Sequence, residues 1–203
     1  MCWSAEVSLN TYIFSLFGFF FGLFNNYDWK MLLFGLIFSS MQLVEYNLWT
    51  NLNNRKQNEF WSKIGEFVVY AECFASANTI PNLALRNGFF GLSAIYALVN
   101  SYLTRNNDKK TTVGKYKHLT HNWYTDTYFD VVPVFLIILP LWFSATKLWF
   151  FFAAAAATLA AIFYSDSYEF SSMWCYYVTT FWFIVIIQSI GLDTQCLNLF
   201  GKN

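Results

Sequence analysis

Residues 31–49, MLLFGLIFSSMQLVEYNLW, hold a single Asp, Glu, Lys or Arg, namely Glu45. A helix rises about 1.5 Å per residue and the hydrocarbon core of a bilayer is roughly 30 Å thick, so this run is long enough to cross it. Lipid offers the backbone no hydrogen bonds, which leaves a helix or a closed barrel, and an unbroken apolar run without two-residue alternation excludes the barrel. The same ruler divides the rest of the chain. Before this run, Asn25, Asn26, Tyr27 and Asp28 form a turn, and residues 6–24 make an earlier span. After it, the polar break from Asn51 to Lys56 leads to spans at 64–80, ending at Pro81 and Asn82, and at 87–103. Thr104 to Asp130 is the one long polar connection. Residues 131–164 carry only Lys147 and are too long for one crossing, so spans at 131–146 and 148–164 with a turn near Ser144 to Lys147 are expected. A last span, 174–192, follows the acidic break at Asp166 to Glu169. The expectation is an all-α polytopic bundle of seven spans, forming one domain over residues 1–203.

Composition agrees. Of 203 residues, 57% are hydrophobic, 23% aromatic and 12% charged, against about a quarter charged in an ordinary soluble domain. The 12 basic and 12 acidic residues balance, and no basic stripe has the density needed to neutralise phosphates, so nucleic acid is not an expected partner. The partner expected is the lipid bilayer. Cys2, Cys73, Cys175 and Cys196 lack the close pairing of a zinc or redox site and read as small buried hydrophobes. No basic segment precedes the first apolar run and no small-residue cleavage site follows it, so that run is read as a span and not as a removed signal.

Basic residues set the expected orientation. With a cytoplasmic N-terminus, Arg55, Lys56, Lys63, Arg105, Lys109, Lys110, Lys115 and Lys117 fall inside, leaving Lys30, Arg86, Lys147 and Lys202 opposite. The C-terminus is then on the far side. Trp29, Trp49, Trp61, Trp123, Trp149 and Trp174 sit at span ends, where amphipathic rings favour the headgroup level, while Trp182 lies mid-span as a packing residue. Gly18 with Gly22, and Ala153 to Ala157, permit close helix approach, either inside the bundle or between copies in a homo-oligomer; the internal role is favoured.

Carboxylates within spans are the strongest functional lead, because a charge in hydrocarbon is costly unless it is paired, neutralised or facing a cavity. Glu45 shares a helical face with Gln42 and Trp49. Glu72 lies near the middle of its span, with Ser76 and Thr79 continuing its face; Glu66 and Glu6 lie nearer the cytoplasmic ends of theirs. Glu45 and Glu66 are expected at similar depth and Glu72 deeper, lining a cavity open to the cytoplasm. No Lys or Arg lies deep in a span to pair with these acids, so some are expected to be protonated. Two readings stand side by side: a pathway or ligand site for an ion, a proton or a cationic ligand, or neutral acids that lock helices through hydrogen bonds to Gln42, Asn47, Ser76 or Asn78.

His118 and His121 have a metal-like spacing, with Asp126 and Asp130 following, but two histidines without a clear third ligand fit a solvated loop better. Lys109 to Lys117 can attract anionic headgroups, and Pro133 and Pro140 are expected to kink the fifth span. No cofactor motif is present. The last span has neither the lysine that a retinal protein needs nor the His-x-x-x-His pair of zinc-dependent membrane hydrolases of the alkaline-ceramidase and adiponectin-receptor type, and the Pro-Gln pairs of PQ-loop carriers are missing.

Met1 to Ser8 (MCWSAEVS), Met41 to Trp49 (MQLVEYNLW) and Ser172 to Cys175 (SMWC) resemble a family of small multi-spanning membrane proteins found in giant DNA viruses and some protists. The resemblance implies no activity, though it falls on Glu6, Gln42 and Glu45. The first functional expectation is therefore a channel or transporter whose ion or proton pathway is lined by Glu45 and Glu72, assisted by Glu6, Gln42 and Glu66. The alternatives are a membrane-embedded lipid-modifying enzyme, for which no nucleophile or metal set stands out, and a non-catalytic partner-binding protein.

Overall fold

The computed structural model describes residues 4–114, 117–121, 132–144 and 174–190, and of 174–177 the backbone only. Among them are six helices: α1 (Ala5–Phe24), α2 (Trp29–Thr50), α3 (Arg55–Asn78), α4 (Leu83–Leu103), α5 (Val132–Trp142) and α6 (Trp174–Ser189). The long connection adds an antiparallel ribbon, β1 (Thr112–Val113) on β2 (Leu119–Thr120), pairing Thr112 with Thr120 and Val113 with Leu119.

The polar breaks between the first four helices are start signals. Ser4, Asp28, Asn54 and Asn82 each accept a backbone N–H of the first turn, from Val7 at 3.2 Å, Lys30 at 3.0 Å, Gln57 at 3.4 Å and Leu85 at 3.0 Å. Connections this short bring successive helices back antiparallel. α2 packs on α1, α3 and α6, while α3 packs on α2, α4 and α5, so these two helices form the centre.

The core is apolar, with Leu32, Phe34, Leu48, Phe181 and Trp182 at its centre, but α1 arranges its residues against the habit of a soluble domain. The buried residues of α1 are Ser8, Ser15, Gly18 and Gly22, while Ile13, Phe17, Phe20, Leu23 and Phe24 are exposed. On the centre-facing side, Ser39, Gln42, Glu45, Asn58, Ser62, Glu72 and Ser76 have no exposure at all. Exposed apolar surface on this scale marks a membrane or a partner. α1 and α2 are long and apolar enough to cross a membrane.

The all-helical expectation holds. The count of seven spans reaches beyond the described residues: all of 148–164 lies outside them, as do parts of 131–146 and 174–192. α3 begins at Arg55 and α4 at Leu83, earlier than the expected 64 and 87, because the helix runs back to its capping asparagine while the apolar ruler sees only the apolar part. Gly18 and Gly22 serve internal packing. A Cβ on Gly18 would stand 2.8 Å from the Trp182 ring, and one on Gly22 would stand 2.6 Å from Leu32 Cδ2 and 3.1 Å from Val185. Trp182, as expected, is a packing residue, fully buried among Phe19 and Phe181. Ala153 to Ala157, Cys2 and Cys196 lie outside the described residues, as does the side chain of Cys175; Cys73 is a buried free thiol.

Candidate functional site

α2 and α3 meet at the Asn51 to Asn54 turn, which gives a common origin for depth. Counting about 1.5 Å per residue along each helix, Glu45 lies about 8 Å from that end, Glu66 about 16 Å and Glu72 about 26 Å. Glu45 and Glu66 thus do not share a level, contrary to expectation, because the earlier start of α3 carries Glu66 inward. Glu45 and Glu72 occupy opposite halves of the bundle, one on each central helix, both fully buried. Gln42, also fully buried, stands one turn deeper than Glu45 on α2. A turn deeper again, Ser39 accepts the Trp182 Nε1–H at 2.6 Å and donates to the Gly35 carbonyl at 2.6 Å. Glu6 is exposed in the first turn of α1, where a carboxylate suits the positive end of the helix dipole.

Glu66 has the cationic partner that the spans themselves lack. Lys109, from the long connection, donates its Nζ to Glu66 Oε2 and to Thr104 Oγ1, each at 2.8 Å, and both charged side chains are only 12% exposed. Tyr70 donates to Glu66 Oε1 at 2.8 Å, and the Tyr70 oxygen accepts from Asn100 at 2.9 Å and Ser101 at 3.1 Å. The ion pair is therefore embedded in hydroxyls and amides from α3 and α4, which offset its desolvation. Sequence spacing hinted at half of this, since Glu66 and Tyr70 are one turn apart on α3; the partner 43 residues away carries no such signal.

The described part of the connection, 104–114 and 117–121, is also packed more closely than a solvated loop. Asn58 on α3 acts as a surrogate strand, giving its Nδ2–H to the Thr111 carbonyl at 3.0 Å and accepting the Thr111 N–H at 2.8 Å. Thr111 Oγ1 lies 2.7 Å from Ser62 Oγ and 3.2 Å from His121 Nδ1. His118 and His121 are buried, correcting the solvated reading, because the ribbon folds back onto the start of α3. Burial pushes His121 down from 6.5 to about 3, so the ring is neutral near pH 7. Among the described residues no group of three metal-ligating side chains converges; Asp126 and Asp130 lie outside them.

At the other end of α3, Ser76 donates to the Ile137 carbonyl of α5 at 2.5 Å. Pro140, inside α5, has no N–H for the Leu136 carbonyl, one residue before the carbonyl that Ser76 binds. α3 thus carries polar groups over its full length: Asn58 and Ser62, then Glu66 and Tyr70, then Glu72 and Ser76. No known family model, curated protein or solved structure matches the chain.

Proposed function

We propose that the chain is a multi-pass membrane protein of seven spans, with carboxylates on its two central helices serving the passage of an ion or proton. The observation that carries this reading is the complete burial of Glu45 and Glu72, one on α2 and one on α3, inside a bundle whose outer faces are apolar. Ionisable groups are retained in such surroundings where they act. Their separation of about 18 Å along the axis, with Gln42 and Ser39 between, suits stepwise transfer more than a single binding cavity.

Direction and parity support the same reading. α6 runs alongside α1, since Trp182 meets Gly18, Val185 meets Gly22, and Gln188 accepts from the Tyr27 hydroxyl. α5 runs alongside α3, with Cys73 beside the Pro133 carbonyl and Ser76 beside that of Ile137. α5 therefore heads away from the end at which α6 starts, the parity that seven crossings require. Arg55, Lys56, Lys63, Arg105, Lys109 and Lys110 gather at the end shared by the start of α3 and the finish of α4, which by the positive-inside rule is the cytoplasmic side, together with the N-terminus.

Reconstituted in liposomes under an imposed proton or alkali-cation gradient, the protein should conduct, and Glu45→Gln and Glu72→Gln should each cut flux at least tenfold. Liposomes that hold every gradient equally with and without the protein exclude a permeation role.

A further inference from the structure

The outer face of α4 is an apolar track that ends in a cation. Leu92, Ile95, Val99 and Tyr102 recur at helical spacing and are all exposed. A Cβ built at Gly91, just before them, would meet nothing within 4 Å. From Leu92 to Tyr102 the track runs about 15 Å, half of a hydrocarbon core of roughly 30 Å, which is the reach of an acyl chain in one leaflet. Just past the helix end, the Arg105 guanidinium sits over the Tyr102 ring, 4.1 Å from its centroid, which holds the charge at the head of the track. Asp108, the nearest acid in sequence, is turned elsewhere: it faces Arg55 at 3.7 Å and accepts the Lys110 N–H at 3.1 Å. Among the described residues Arg105 has no carboxylate partner.

We propose that this face seats one anionic phospholipid from the leaflet at the basic end of the bundle, with an acyl chain along Leu92, Ile95 and Val99 and the phosphate on Arg105. Any lipid fills the apolar track. The guanidinium, without a carboxylate partner among the described residues, selects for net negative charge, because a zwitterionic headgroup brings its own cation to the same place. The inference rests on the membrane reading but not on permeation.

The test is native mass spectrometry of the whole protein released from nanodiscs of equal phosphatidylglycerol and phosphatidylcholine. Retained lipid should be mainly phosphatidylglycerol. Arg105→Gln should lower that preference about fivefold, Arg105→Lys should keep part of it, and Lys30→Gln, at the opposite end of the bundle, should leave it unchanged. Equal retention of both lipids, or a preference that Arg105→Gln leaves intact, overturns the site. Release of the lipid by millimolar inorganic phosphate makes it a free-anion site and overturns the lipid assignment. A dimer in place of retained lipid, lost on Gly91→Leu, gives the face to a second copy. Protein that never enters nanodiscs breaks the membrane reading itself, an outcome distinct from entry without lipid preference.

Discussion

α1 turns Ser8, Ser15, Gly18 and Gly22 inward and leaves Ile13, Phe17 and Phe20 outside, whereas α3 turns Asn58, Ser62, Glu72 and Ser76 inward and ties Asn58, Ser62 and Ser76 to other elements. α1 has inside-out polarity, while α3 buries its polar groups among Val68, Val69 and Cys73 and exposes Arg55, Lys56 and Lys63; the two are held by different physics. α1 is held by closeness: without side chains at 18 and 22, its backbone sits against Trp182, Leu32 and Val185, and dispersion does the binding. α3 is held by directed hydrogen bonds to α4, α5 and the ribbon. A helix held by contact needs its neighbours only to fit, whereas one held by polar groups can hold charge or pass it on.

The difference predicts which changes each helix tolerates. Gly18→Leu should have the largest effect, about 3 kcal/mol of destabilisation or more, because the new side chain starts 2.8 Å from the Trp182 ring; thermal unfolding in detergent reads it, and an unchanged midpoint would mean α1 is not packed on α6. Lys109→Ala should cost about 2 kcal/mol by leaving Glu66 without its cation, in line with hydrogen bonds to charged groups. Restoring the loss with Glu66→Gln in the same chain would confirm that the pair, and not the loop alone, is responsible.

Next comes pH. His121 is neutral in the folded state down to about pH 3, while its unfolded counterpart takes a proton below about 6.5. Its contribution is complete above about pH 6.5 and is lost as pH falls toward 3, at up to about 1.4 kcal/mol per pH unit. Protease resistance of the ribbon should decline over that window, and His121→Gln should flatten the decline. Ser76→Ala should have the smallest effect, about 1 kcal/mol, the loss of one hydrogen bond to the Ile137 carbonyl. A cost near that of Gly18→Leu would erase the distinction between the two helices.

Much of the bundle could be read from the chain itself. The apolar runs located α1 and α2 to within two residues, and the asparagines and aspartate between runs are the caps that start α2, α3 and α4. Hydrocarbon cost singled out Glu45 and Glu72, which are buried, along with Glu6, which is exposed, and small-residue spacing marked Gly18 with Gly22 as an internal contact. The fate of residues 104–114 and 117–121 was not legible. A Lys-rich stretch with two histidines reads as solvated, because its partners Asn58, Ser62 and Glu66 lie 43 to 53 residues earlier and match it only by shape. Polar pairing across a fold leaves no period in the sequence, in contrast with apolar packing.

The central claim, a membrane-threading bundle with acids on its inner helices, is tested most directly by single cysteines at Asn26, Asn53, Asn82 and Asn107 in a background with Cys2, Cys73, Cys175 and Cys196 replaced. A membrane-impermeant maleimide added outside intact cells should label positions 26 and 82 and spare 53 and 107 until the membrane is opened. Labelling of all four from one side would place the bundle outside the bilayer and contradict the account.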